Sequence, residues 1–350
     1  MLYVRREVRR ALQQTGEPGR AELCDALDEM LDGEGELPAQ DVALHPIKRR
    51  VFRLQLRAGN VSRSYILKRV EPRVAQINRL AADRWLPALG LSDRCARLLA
   101  TAADRGGLWV WQIYDDIGEE TLARRPERSR LEAAVEFIAE LHVRAGGHPL
   151  LLEVRQHGPD CGMHFFRTNV GDAIRGLEAL SRSDLALPPQ TTAVRDRLRE
   201  RLSALLADAP RRERLVSEAG GPETLLHGDL FPKNVFVTAT AGGLRARLID
   251  WDHVGIGPWS FDLSTFLMRS PPGERSLIVS RYRDVVARAG WRMPGLAELN
   301  LLSDTAECAR SANELIWSLM AILENGAAWA HAKLAEIDGW LSGLRPVLDE

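Results

Sequence analysis

The chain has 350 residues and a formal net charge of −1, so no field of the whole chain favours nucleic acid as a partner. Hydrophobic residues make up 45% and charged residues 27%, as in ordinary soluble globular proteins. No stretch approaches the roughly 20 apolar residues of a membrane-spanning helix, no signal-peptide core follows the N-terminus, and the four cysteines have neither zinc-site nor disulfide spacing. We therefore expect a cytoplasmic protein that binds neither membranes nor nucleic acids.

The first third of the chain predicts a helical segment followed by a small β-rich lobe. In chain order, the predicted elements are two short helices within residues 1–40, strands at 51–56 and 64–70 joined by a loop at 57–63, a helix at 73–90 and a strand at 108–113. This order indicates a small sheet with one helix packed on it, closed by a connector at Tyr114–Gly118.

The pattern after residue 129 is mainly helical, with predicted helices at 131–142, at 171–206, at 273–289 and within 296–347. The exception is a hairpin between residues 234 and 250, indicated by β-prone apolar runs on either side of Gly242-Gly243. We therefore expect an α+β, two-lobed protein with three segments. They are a helical prefix at 1–40, a β-rich N-terminal lobe at 41–118 and a larger helical C-terminal lobe at 119–350, with a cleft between the lobes.

Two polar clusters at the ends of this hairpin, His227–Asn234 and Ile249–Asp252, carry the chemistry that the sequence suggests. Asp229 is the expected base or hydroxyl-orienting group, because a phosphoryl acceptor must be aimed in line with the leaving oxygen. Asn234 and Asp250 are the expected magnesium ligands, because Mg²⁺ takes hard oxygen donors and keeps water and phosphate in its shell. The alternative is structural: a loop carboxylate, a turn residue and a strand-end cap.

Three neighbouring residues have supporting roles. His227 is expected to brace the loop as a buried imidazole, with a catalytic role as the alternative. Asp252 is either a further acid facing the metal or substrate, or a hydrogen-bond acceptor behind the site. Asp262 begins a helix, where an acid suits the helix dipole, and we expect it to anchor the loop that carries Asp229.

Lys68 lies inside an apolar strand, where burying a lysine is costly unless an anion pairs with it. Nucleotide phosphates and a carboxylate on the following helix would supply that charge, and Asp83 is the best-placed acid. The alternative is an edge-strand lysine that points to solvent. The loop beginning at Gly59 could bring backbone amides to the phosphates, although its single glycine is a weak signal.

These motifs resemble those of the aminoglycoside-phosphotransferase-like kinases of small molecules, a branch of the protein-kinase fold. His227–Asn234 is similar to the family's H-G-D-x-x-x-x-N motif, and Ile249–Asp252 is similar to its I-D-W-[DE] motif. Asp262-Leu263-Ser264 resembles the D-L-A segment that follows, and a weaker resemblance extends over roughly residues 45–345. Asp83, where the family usually has Glu, and the glycine-poor loop are departures from the pattern.

The resemblance implies a two-lobed fold with the nucleotide in the cleft. It implies that Asp229 is the catalytic aspartate and that Asn234 and Asp250 bind magnesium. By the same resemblance, Lys68 would hold the α- and β-phosphates and pair with the helix acid. Backbone groups of two further residues would meet adenine: Tyr114 and Asp116.

The leading hypothesis is an ATP- and Mg²⁺-dependent kinase that phosphorylates a hydroxyl of a small molecule such as an aminoglycoside, another antibiotic, an amino alcohol or a sugar; GTP is an alternative donor. Residues 300–350 hold eight acids against three bases, a wall that would attract a cationic acceptor unless its charges merely face water. The competing hypotheses are a two-metal hydrolase and a nucleotide-binding regulator without turnover.

Overall fold

The computed structural model describes residues 2–33, 41–59 and 61–348, and the chain forms two compact units. The first unit contains Met1–Arg130 and Lys233–Asp252, and the second contains Leu131–Pro232 and His253–Glu350. Among the described residues, every helix falls short of the length or the apolar character that a membrane crossing requires.

A five-stranded antiparallel sheet forms the centre of the first unit. Its strands are β1 (Asp41–Lys48), β2 (Val51–Ala58), β3 (Val61–Val70), β4 (Leu98–Ala103) and β5 (Val110–Asp115). Their spatial order is β1-β2-β3-β5-β4, so β3 is central. The sequence does not predict β1 and β4. Both are edge strands, and the proline in β1 and the alanines in β4 weaken the strand pattern.

The helical prefix packs on this sheet. It consists of α1 (Leu2–Gln14) and α2 (Arg20–Gly33), and residues 34–40 of the predicted prefix lie outside the described residues. Leu12 and Leu27 are fully buried in one apolar cluster with Leu54 and Trp111 of the sheet. Burying each such leucine contributes roughly 1.5–3 kcal/mol. The prefix therefore completes the core of the first unit.

An interrupted helix that follows β3 also packs against the sheet. It runs as α3 (Pro72–Leu80), a π turn (Ala81–Trp85) and α4 (Leu86–Ala88), and it corresponds to the predicted helix at 73–90. Its contact with the sheet includes a side-chain hydrogen bond of 3.0 Å from Asn78 to Gln112 of β5.

The remaining strands form two short antiparallel pairs. They are β6 (Glu223–Leu226), β7 (Val235–Thr240), β8 (Gly243–Leu248) and β9 (Gly255–Pro258). β7 pairs with β8, as the sequence predicts, and β6 pairs with β9. The β7–β8 hairpin belongs to the first unit, where the N–H of Leu122 donates to Val235 and that of Leu248 to Arg94. These backbone bonds place 119–130 and 233–252 in the first unit, whereas the predicted boundary lies near Gly118.

The second unit is mainly helical. Its helices, counted from the one that begins at the end of the first unit, are α5 (Arg128–Ala145), α6 (Leu151–His157), α7 (Met163–Arg182), α8 (Pro189–Ala207), α9 (Ala209–Ala219), α10 (Ser260–Met268), α11 (Arg275–Arg288), α12 (Leu296–Asn325) and α13 (Ala328–Gly343). The core around α12 includes Val170 and Leu177 of α7, Leu315 and Leu319 of α12, and Leu334 of α13. The chain is therefore α+β, with a β-rich and a helical part.

Candidate active site

A cavity of about 890 Å³ lies within the first unit. Small-molecule sites in proteins have volumes of about 300–1,000 Å³, so this cavity is large enough for a nucleotide. Five residues that the sequence singled out line it: Lys68, Tyr114, Asp116, Asn234 and Asp250. Gly59 and Asp83 are not among the lining residues.

Lys68 is held by two carboxylates in this cavity. Its ammonium forms ion pairs with Asp250 and with Asp252, the latter at 2.6 Å from Nζ to Oδ1. Burial alone would lower the pKa of Lys68, but the two carboxylates outweigh burial and raise that pKa above its ordinary value. Lys68 therefore stays charged, and its side chain faces the acids of the β8 end rather than solvent.

Asp250 has an unusual backbone and two lysine partners. Its φ of 69° lies in the left-handed region, which a non-glycine residue adopts only where its surroundings hold it. Lys48 donates to its Oδ2 at 3.0 Å while Lys68 binds Oδ1. Burial alone would raise the pKa of Asp250, but the two lysines hold it below the ordinary value. Asp250 is therefore an ionised carboxylate aimed at the cavity.

Asn234 lies next to Asp250 at the same end of the β7–β8 hairpin. It ends a 3₁₀ turn at Pro232–Asn234, is 4% exposed, and its carbonyl accepts the N–H of Ile249 at 3.1 Å. The hairpin thus brings an amide and a carboxylate side chain to one cavity. Both are hard oxygen donors of the kind that Mg²⁺ takes.

The predicted pairing of Asp83 with Lys68 is wrong. Asp83 is exposed and pairs instead with Arg79, at 3.6 Å. Buried Ala81 and Trp85 mark the inner face of this helical stretch, and Asp83 falls midway between them on the opposite face. Lys68 obtains its counter-charges from the β8 end instead.

Asn78 is the side chain of α3 that reaches the site. Its Nδ2 donates to Asp252 Oδ1 at 2.8 Å and to Gln112 Oε1 at 3.0 Å. Gln112 in turn donates to the carbonyl of Ala75 at 3.1 Å and accepts the hydroxyl of Tyr114 at 2.9 Å. Sequence reasoning missed Asn78 and Gln112. The signal was a glutamine inside the apolar strand Val110–Asp115, where an uncompensated amide would be costly.

The turn at Gly59, which the sequence suggested as a phosphate loop, lies far from Lys68. Gly59 occupies the β2–β3 turn with φ +57°, and β3 begins at Val61 rather than after a long loop. Lys68 pairs in register with Val51, at the other end of β2. Lys68 lies seven residues after Val61, which corresponds to roughly 23 Å of strand at about 3.3 Å per residue. The turn beside Lys68 is therefore the β1–β2 turn.

Asp116 braces the end of β5. Its N–H donates to the carbonyl of Ser64 at 3.3 Å, and its carboxylate accepts the Ser64 hydroxyl at 2.6 Å and pairs with Arg53 at 2.7 Å. A contact from Asp116 to a nucleobase stays a prediction, and it would need a group other than this N–H. Tyr114 lines the same wall through β5.

The loop that carries Asp229 belongs to the second unit and is held by Asp262 of α10. The fully buried carboxylate of Asp262 accepts the backbone N–H groups of His227, at 2.6 Å, and Gly228, at 2.9 Å. His227 is also fully buried, and its Nδ1 accepts the N–H of Asp229 at 3.3 Å. Gly228 has φ +80°, and an added Cβ would lie 2.0 Å from the carbonyl oxygen of His253, so glycine is required there.

Asp262 is itself fixed from behind. His142 lies 3.4 Å from its carboxylate and hydrogen-bonds Tyr282 at 2.8 Å on its other ring nitrogen. Burial opposes ionisation of Asp262, but the hydrogen bond from His142 and the groups of His227 lower its pKa below the ordinary value. The backbone at Asp229 is therefore set by a buried, ionised anchor.

The acidic segment near the C-terminus is largely neutralised by ion pairs. Of its six acids among the described residues, five are paired with bases: Asp304 with Arg212, Glu307 with Arg269 and Arg310, Glu314 and Glu336 with Lys333, and Asp338 with Arg197. The segment is therefore not the unbalanced wall of negative charge that its composition suggested.

Comparison with known proteins identifies the family of this chain. Residues 46–299 match the model of a family described as the phosphotransferase enzyme family, APH. The chain belongs to this family. As a family member, the protein is a kinase-type phosphotransferase, and of the three hypotheses from the sequence the family supports the kinase. A search of curated protein sequences gave no significant match.

Solved structures of phosphotransferases share the fold. A spectinomycin phosphotransferase, APH(9)-Ia, in complex with ADP and spectinomycin has 14% identity and a TM-score of 0.56, covering 92% of this chain and 94% of that one. An ethanolamine kinase of Plasmodium vivax has 12% identity and a TM-score of 0.57, covering 90% and 86%. APH(2")-IIIa with GDP and kanamycin has 14% identity and a TM-score of 0.56, covering 89% and 98%. At such identities the likeness establishes the protein-kinase-like fold.

Proposed function

We propose that this phosphotransferase moves the γ-phosphoryl group of ATP, with Mg²⁺, to a hydroxyl group of a small molecule. The observation that carries the proposal is the cavity of the first unit, which Lys68, Asn234 and Asp250 line together. An ammonium suits nucleotide phosphates, and a carboxylate beside an amide oxygen suits a hard divalent ion. GTP is the alternative donor, since one structural neighbour binds GDP.

The residues that line this cavity fit both a nucleotide and Mg²⁺. Asp250 is ionised, because its lysine partners keep its pKa low, and an ionised carboxylate is what a magnesium ligand requires. Asn234 would be the second ligand, and Lys68 would hold phosphate oxygens. Mg²⁺, when bound, would neutralise charge that develops on the transferring group. The wall at Tyr114 and Asp116 would border the base.

Asp229 is the proposed catalytic aspartate. It would orient the acceptor hydroxyl in line with the phosphoryl group and take its proton late in the transfer. The backbone bonds from His227 and Gly228 to Asp262 support this role, because they fix the loop before any ligand enters. Positioning and charge neutralisation would then supply most of the rate acceleration.

The proposed acceptor is a small hydroxyl compound. Neighbours of the same fold include enzymes solved with spectinomycin or kanamycin and an ethanolamine kinase, so antibiotics and amino alcohols belong in the test panel. The ion-paired acids of residues 304–338 give a cationic acceptor no special support. The proposal therefore covers neutral and cationic hydroxyl compounds alike.

The test is a screen of purified enzyme for nucleoside diphosphate release stimulated by aminoglycosides, other antibiotics, amino alcohols and sugars, with ATP and GTP in parallel. We expect at least one acceptor to stimulate release, and Asp229→Ala to reduce that rate at least about 100-fold. Glu218→Ala, which removes an exposed carboxylate of α9, is the matched control and should retain the rate. No stimulation by any acceptor with either donor would reject the proposal.

A further inference from the structure

The turn between β1 and β2 is basic and contains no glycine. Its sequence is Lys48-Arg49-Arg50-Val51, and Arg50 adopts φ +66° to make the reversal. Val51 is the register partner of Lys68, so this turn lies beside the lysine of the site. Glycines let backbone N–H groups approach and cradle phosphates closely. A turn without them offers its charged side chains instead.

Lys48 is the side chain of this turn that enters the site. It lines the cavity, and its Nζ lies 3.0 Å from Oδ2 of Asp250. Lys68 binds the other oxygen of the same carboxylate and also pairs with Asp252. The side chain of Lys48 is 59% exposed, against 12% for Lys68. Lys68 is therefore fixed between two acids, whereas Lys48 is held at the cavity wall by one shared partner.

The charges of this cluster balance one another. Two ammonium groups, of Lys48 and Lys68, face two carboxylates, of Asp250 and Asp252. A divalent ion at Asp250 would compete with both lysines for its oxygens. The flexible four-carbon stem of a lysine allows its ammonium to change partners by side-chain rotation. Phosphate oxygens in the same cavity are the anions that a displaced ammonium would meet.

We propose that Lys48 is a second phosphate-binding lysine of the nucleotide site, which exchanges Asp250 for the phosphate chain when nucleotide and metal enter. This inference rests on the proposed function. It assigns to a lysine side chain of the β1–β2 turn the contacts that backbone amides of a glycine-rich turn would make. Lys68 remains the fixed cation, and Lys48 is the mobile one.

The test compares calorimetric dissociation constants of ADP, ATP and adenosine, with Mg²⁺ present, for the wild type, Lys48→Ala and Lys48→Arg. We expect Lys48→Ala to raise the dissociation constants of ADP and ATP roughly tenfold through loss of a charge-assisted contact. Lys48→Arg, which keeps the charge, should have dissociation constants within about threefold of the wild type. Adenosine, which has no phosphates, should bind both variants and the wild type equally. Melting curves without nucleotide check that the variants fold.

The matched control is Arg57→Ala, which removes one exposed positive charge at the far end of β2. It should leave all three dissociation constants unchanged. The inference is overturned if Lys48→Ala binds ADP as tightly as the wild type does, or if its affinities for adenosine and ADP fall by the same factor. It is also overturned if Arg57→Ala weakens ADP binding as much as Lys48→Ala does. In those cases the wild type still binds nucleotide and the proposed function stands. A wild type that binds neither the adenine nucleotides nor GDP and GTP rejects both.

Discussion

The two polar sites of this protein are built in opposite ways. In the first unit, Lys68, Asp250 and Asp252 hold one another through charged side chains that line a cavity. In the second unit, the loop at His227–Asp229 is held by backbone N–H groups that donate to the fully buried Asp262. Side-chain ion pairs at a cavity can exchange partners with a ligand, whereas buried backbone bonds cannot. The first site is suited to receive charge, and the second to keep one geometry.

The largest effect should come from removing the buried anchor. Asp262→Ala leaves two backbone N–H groups without their acceptor and removes the anionic neighbour of His142. We expect the free energy of unfolding, measured by urea titration, to fall by about 3–5 kcal/mol. Asp262→Asn keeps one carbonyl acceptor, so its free energy of unfolding should fall by less. Equal, small losses in both variants would contradict the anchoring role.

Lys68→Ala should have a large effect on activity and a smaller one on stability. The substitution removes the ammonium that we propose binds the phosphates, so we expect donor-dependent turnover to fall at least about 100-fold. Its two carboxylates keep other partners, Lys48 and Asn78, so the loss of unfolding free energy should be less than for Asp262→Ala. Kinetics and urea titration of both variants test this order. Donor-dependent turnover that survives in Lys68→Ala would contradict the proposed role of Lys68 in binding phosphate.

Asn78→Leu should reveal what the amide of α3 contributes to the first site. Asp252 and Gln112 would each lose one donor but keep another, Lys68 and Tyr114 respectively. The two lost hydrogen bonds should together cost about 1–3 kcal/mol. We expect a loss of that size in urea titration and a several-fold higher KM for nucleotide. Asn78→Gln, which keeps the amide, should lose less stability and raise the KM for nucleotide less than Asn78→Leu does. A leucine variant with wild-type values would exclude this role.

Acid should weaken the first site through Asp250. Burial would raise the pKa of Asp250, but Lys68 and Lys48 hold it below the ordinary value of about 4. The ionised carboxylate therefore stabilises the fold fully above about pH 4, and that stability is lost as the pH falls towards the lower folded pKa. Urea midpoints between pH 5 and 3 should fall more steeply in the wild type than in Asp250→Asn. Parallel curves would show that Asp250 contributes nothing to acid stability.

The smallest effect is expected at Asp83. Its exposed pair with Arg79, four residues away on the same helical stretch, contributes about 0.3–0.5 kcal/mol. Asp83→Ala should therefore change nucleotide affinity by less than twofold and leave the urea midpoint nearly unchanged. A loss of nucleotide affinity or of stability comparable to that of Lys68→Ala would indicate that Asp83 is the partner of Lys68 after all.

The sequence alone determined the local chemistry of this protein. The runs His227–Asn234 and Ile249–Asp252 each adjoin a β-prone apolar segment, and Gly242-Gly243 makes the turn, so the β7–β8 hairpin and its polar ends could be predicted. Periodicity also indicated a β-rich part before a helical one. Such features depend on interactions between residues a few positions apart, which a single sequence displays.

Only the tertiary structure decided which charges meet. Asp250 lies 182 positions from Lys68 and 202 from Lys48, so no local pattern could pair them. The register of β2 and β3 places the β1–β2 turn, rather than Gly59, beside Lys68. On the interrupted helix, Asn78 of α3 reaches the site, whereas Asp83 of the π turn faces away from it. Long-range pairing is fixed by the packing of whole elements, because sheet register and helix rotation decide which side chains reach a common cavity.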